Sequence, residues 1–94
     1  MILESIFMKE TTVPSRLRWA CRRGMLELDV LLGNFLEEVY TNLTEEEQFI
    51  FVQLLSENDQ DLFLWLTGKE PPNHSDFIMM VEKIRYHAKH RHSA

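Results

Sequence analysis

Arg22, Arg23, Gly24, Glu27 and Asp29 sit within one short stretch of a 94-residue chain, and their types suggest recognition more than bond-making. Arginine offers a rigid fork of donors to carboxylate, phosphate or backbone oxygens. Glycine between the arginines and the acids removes the side chain that would block a close approach. Arg23 and Glu27 are four positions apart, so they can meet if helical geometry continues across Gly24; a break there turns both toward a partner instead. Two readings stay open: an ordinary capped and solvated helix junction, which is the simpler one, and a docking surface.

Other reactive residue types give weaker patterns. Cys21 adjoins Arg22 and Arg23, and nearby cations favour thiolate, but no cysteine–histidine pairing supports catalysis. A buried or bystander thiol is the default. His74, His87, His90 and His92 lack a Cys/His/acid framework, so no metal site is assigned. Glu45, Glu46 and Glu47 most simply begin a helix, with steering of a basic partner the lesser reading. No carboxylate pair can be placed in facing geometry from spacing alone. GxGxxG and GxxxxGK[ST] are both absent. No catalytic residue is therefore assigned, and a chain this small must act mainly through a surface. For Trp19, core packing is the preferred account and an interface anchor the second, because its ring can be buried while its N–H meets a polar group. Trp65, among Leu62, Phe63, Leu64 and Leu66, reads as core. Tyr40 reads as packing, with a hydroxyl at an edge.

The elements that must position these residues read as five helices with short connections, an all-α bundle. Pro14 and Ser15 start the first, which runs through Leu17, Trp19 and Ala20 until Gly24 ends or bends it. The second covers Met25 to Val39 or Tyr40, where Met25, Leu28, Leu32, Phe35, Leu36 and Val39 recur at spacings of three and four. Gly33 weakens its middle by roughly 0.5–1 kcal/mol relative to alanine, while offering room for close helix packing. Thr44 and Glu47 form a capping-box pattern for a third helix over 45–56, whose run Phe49 to Val52 followed by Leu54 and Leu55 predicts the most enclosed element. Asn58 or Asp59 caps a short fourth helix ended by Gly68. Pro71 and Pro72 stiffen the connection to a last helix carrying Phe77, Met80, Val81 and Ile84.

One domain spanning 1–94 is expected, with a loose extension over 1–13 and fraying over 88–94. A single cysteine excludes an intrachain disulfide and fits a reducing compartment. The amino end, Met1 to Met8, does not resemble a secretory signal, and no run approaches the roughly 18 apolar residues of a membrane span, so a cytoplasmic protein is expected. The formal charge of −5 is uneven: residues 41–82 hold nine acids against Lys69 alone, while 83–94 hold four Lys or Arg and no acid. Nucleic-acid binding is a minor reading on that balance.

The order RLRWACRRGMLELD, a later Phe-rich Leu-Leu segment and DLFLWLTG together resemble the bacterial SdhE/YgfY family, related to mitochondrial succinate dehydrogenase assembly factor 2. The likeness covers about residues 15–85. It implies a compact five-helix bundle that promotes covalent FAD attachment to the flavoprotein subunit of succinate dehydrogenase, and in bacteria also of fumarate reductase. It further implies a chaperone without turnover of its own, no stably bound cofactor, and FAD carried on the partner. The family's RGxxE signature falls on Arg23, Gly24 and Glu27, which the resemblance places against the flavoprotein; Arg22 and Asp29 are secondary candidates for that surface. The alternatives are a regulatory, antitoxin-like interaction module and a direct FAD carrier.

Overall fold

The computed structural model of the protein describes residues 9–91. Their order is α1 (Ser15–Ala20), α2 (Leu26–Glu38), a 3-10 turn (Tyr40–Asn42), α3 (Glu45–Leu54), α4 (Asp59–Leu66) and α5 (Ser75–His90), with no strand among them. The five-helix, all-α expectation therefore holds.

Local chemistry sets most of the boundaries. Pro14 is extended at φ −75° and needs no N–H partner, which suits it to the start of α1. Thr44 accepts from Glu47 N while the Glu47 carboxylate accepts from Thr44 N, a complete capping box at α3. Asn58 accepts from Asp61 N at the start of α4. The end of α4 is a Schellman turn. Gly68 at φ +79° lets its own N–H reach Trp65 O while Lys69 N–H reaches Leu64 O. His74 Nδ1 accepts from Asp76 N and caps α5.

Packing departs from expectation in three places. The hub is α2, which touches α1, the 3-10 turn, α4 and α5, whereas α3 leans chiefly on α5 and exposes Phe49. The apolar run in α3 is nonetheless largely enclosed as expected, with Ile50, Phe51, Leu54 and Leu55 buried and Phe49 left outside. Gly33 does not mediate close packing, since a methyl group added there would meet nothing within 4 Å. Finally, α5 continues past Ala88 to His90, where Glu38 of α2 accepts from Arg91 through both carboxylate oxygens and meets His87 Nε2 at 2.7 Å.

The core is assembled from Leu28, Leu32 and Phe35 of α2, Phe51 and Leu54 of α3, Leu62 of α4, and Met80 and Ile84 of α5, all essentially inaccessible. Phe35 and Phe51 pack with ring centroids 5.5 Å apart. Gln48 is buried with them, and its amide is fully used: Oε1 accepts from Glu10 N, while Nε2 donates to Glu10 O and Tyr40 O. Glu10 in turn accepts from the buried Tyr40 hydroxyl and from Arg16. The segment read as loose is therefore tied down at Glu10. Of the remaining extension and tail, residues 1–8 and 92–94, including His92, lie outside the described residues. No helix among the described residues is long and apolar enough to cross a membrane.

Candidate functional site

The α1–α2 junction folds around the two ends of Arg23. Its backbone N–H donates to Asp29 Oδ1 of α2 at 2.6 Å. Its guanidinium points the other way: Nε donates to Asp59 Oδ1 at 2.8 Å, Nη1 to Ala20 O and Leu55 O, and Nη2 to Glu57 O. The side chain is only 15% exposed. Arg23 therefore does not pair with Glu27, and most of its donors are committed within the chain. The first helix ends at Ala20, earlier than the expected stop at Gly24, so Arg23 lies in the connection to α2 outside the helical register the pairing needs, and Gly24 turns that connection at a φ of +78° that favours glycine. Space is not the constraint at Gly24, because an added methyl group would meet nothing within 4 Å.

Other junction residues face outward. Arg22 and Glu27 are exposed, and neither side chain makes a hydrogen bond or ion pair among the described residues. Trp19 is 74% exposed, which corrects the core assignment: a six-residue helix buries one narrow face, and Leu17 occupies it. Leu26, 79% exposed, and Val30 add apolar surface one turn apart on α2. Sequence reading missed both. The available signal was that they are apolar yet fall off the Leu28–Leu32–Phe35 stripe.

Between α1 and α2 runs an open groove of about 460 Å³, bordered by Trp19, Arg22, Asp29 and Gly33. Arg18 and Glu37 form an ion pair beside it. Cys21 borders the groove but is buried, and that burial pushes its thiol up to about 12 despite the opposing effect of Arg23. The default reading of a buried thiol therefore holds, with desolvation outweighing the neighbouring positive charge. Asp59 was also unanticipated as a partner, since it lies 36 residues from Arg23 and no local pattern joins them.

The remaining candidates have structural employment. Trp65 is core and packs near Phe77. Glu45 and Glu46 begin α3, and Glu47 serves the capping box and pairs with Lys83 at 3.3 Å. His74 caps α5, His87 meets Glu38, and His90 stacks on Tyr86 at 3.9 Å. Among the described residues no group of three or more His, Cys, Asp or Glu is arranged to hold a metal ion.

Comparison with known proteins places these features in context. A family model described as flavinator of succinate dehydrogenase matches residues 15–88. The FAD assembly factor SdhE of Coxiella burnetii is 46% identical over 78 residues, covering 83% of this chain and 95% of the relative. That of Vibrio cholerae is 49% identical over 73 residues, covering 78% and 85%. The solution structure of a UPF0350 protein superposes with a TM-score of 0.67 at 47% identity, covering 84% of this chain and 86% of the other.

Proposed function

The chain belongs to the flavinator of succinate dehydrogenase family, and from that premise we propose that it promotes covalent FAD attachment by docking on the enzyme's flavoprotein subunit. It is an assembly factor and not an enzyme with its own turnover, and FAD resides on the partner. We extend the reading to the flavoprotein of fumarate reductase and to a cytoplasmic setting.

The observation that supports a docking role for this edge is the juxtaposition of unpaired Arg22 and Glu27 with exposed Trp19, Leu26 and Val30, beside Gly24. Large apolar side chains supply contact area at an interface, while unpaired charges select and orient a partner. Gly24 adds a backbone stretch without side-chain cover, and Asp29 holds that stretch from within through Arg23 N. By holding the flavoprotein's acceptor side chain and its FAD in a productive arrangement, such a surface lowers the entropic barrier without providing a nucleophile. Fixed charges at the edge favour the polar arrangement of the attachment step.

The test is the rate of covalent flavin incorporation into purified, FAD-supplied flavoprotein with no helper, with this protein, and with its Glu27→Gln variant. Acceleration by the wild type, reduced roughly tenfold at limiting helper in Glu27→Gln, is the expected outcome. A competent flavoprotein that gains nothing from the wild type would end this reading.

A further inference from the structure

Arg23 is unusual among the junction residues in that it belongs to the family signature yet spends its donors inside the chain. Its guanidinium collects carbonyls from the end of α1, at Ala20, and from the α3–α4 turn, at Leu55 and Glu57. These carbonyls can hold the fork only when its plane is oriented correctly, because the donors are fixed in one rigid group. That orientation is supplied at Nε by Asp59, the first residue of α4, 2.8 Å away. Asp59 also supplies the negative charge that a mostly covered guanidinium requires.

We infer that Asp59 is a positioning residue for the docking edge, acting through Arg23. The inference rests on the docking reading. The amino end of α4 is fixed by its own packing on α2 and α5 and by the Asn58 cap. Asp59 carries that fixed position to the guanidinium, and Arg23 carries it to the backbone at Gly24. From the opposite side, Asp29 of α2 holds Arg23 N–H. Gly24 and the turn leading to Glu27 are thus held between α4 and α2, and the unpaired Arg22 and Glu27 are presented at a defined separation. Without Asp59 the covered guanidinium has no counter-charge, and turning out to water becomes its better-solvated alternative.

Asp59→Ala tests this directly, with Asp61→Ala as the matched control, since Asp61 is also in the first turn of α4 and does not touch Arg23. Two readouts are needed. Amide hydrogen exchange at Arg23 follows the bond to Asp29, and the helper concentration giving half-maximal flavinylation, set against the rate at saturating helper, follows docking. In Asp59→Ala, exchange at Arg23 rises roughly tenfold and the half-saturating concentration rises by a similar factor, with the saturated rate retained. Asp61→Ala moves neither. A general loss of stability would instead speed exchange across α4 and lower the saturated rate. Unchanged exchange at Arg23 in Asp59→Ala overturns the brace, and faster exchange with an unmoved half-saturating concentration overturns its role in docking. If the wild type itself fails to accelerate flavinylation, the docking reading fails first and the positioning role with it; Glu27→Gln losing activity while Asp59→Ala keeps it removes only the positioning role.

Discussion

The two ends of α2 are both tied by an arginine and a carboxylate, yet the ties do different work. At the amino end, Arg23 divides its donors among Asp59 and the carbonyls of Ala20, Leu55 and Glu57, so one side chain joins α1, the α3–α4 turn and α4. At the carboxyl end, Arg91 gives both of its bonds to Glu38 alone. The first arrangement is covered by the fold; the second is at the surface, where water can replace either partner. An arginine's structural weight therefore depends on how many segments it satisfies and on whether solvent can substitute for it.

The strongest way to break the contrast is Arg23→Ala. Three backbone carbonyls and Asp59 lose their donor together, so destabilisation of about 3 kcal/mol is expected in urea unfolding. The buried Cys21 thiol gives an independent readout: alkylation at pH 8 is slow in the wild type, whose thiol is held up to about 12, and accelerates in Arg23→Ala as the junction opens. An Arg23→Ala protein as stable as the wild type would make the two arginines equivalent and the contrast false. Next in size is Gly24→Ala, which costs about 1–2 kcal/mol because an L residue must adopt φ near +78° at a position with no steric obstacle. Its loss should appear as a lower unfolding midpoint with an unchanged denaturant slope.

The smallest effect belongs to the far end. Arg91→Ala should lower the unfolding midpoint in urea at neutral pH by less than either junction variant, because solvent screens an exposed pair, and the same loss is visible in titration. Hydrogen bonds from Arg91, assisted by His87, hold the Glu38 carboxyl down to about 2, below its ordinary value of 4.5. A depressed carboxylate stabilises the fold fully above its unfolded value, and that contribution disappears as pH falls through about 2. NMR titration of Glu38 should therefore show a midpoint near 2 in the wild type, rising toward 4.5 in Arg91→Ala. An unmoved midpoint would assign the depression to something other than Arg91.

This contrast also marks what could be read from sequence. The Thr44–Glu47 box, the Asn58 cap and the Gly68 terminus were legible because each is completed by residues within a few positions. The buried stripe of α2 was legible because helical periodicity places Leu28, Leu32 and Phe35 on one face. The Arg-Gly-x-x-Glu pattern located the junction, but not the direction of the Arg23 side chain, which is decided by Asp59 and by two carbonyls more than thirty residues away. Trp19 failed for a related reason: hydrophobicity favours burial, but α1 is too short to bury a second face. Even the hub helix was misread, since composition made α3 the centre while the chain's path placed α2 there.

Gln48 has a consequence at the level of the gene. Its amide reads both backbone groups of Glu10 and the carbonyl of Tyr40, which requires a donor and an acceptor on one side chain. Glutamine and glutamate codons differ by a single first-position base, and glutamate matches the shape while, when ionised, it has no donor for the two carbonyls. The buried site would favour the protonated acid, which restores one donor but not both. Position 48 is thus a place where the mildest change in the coding sequence strikes the interior harder than many radical changes would strike the surface, and where the mutant fold would recover only in part on the acidic side of neutrality.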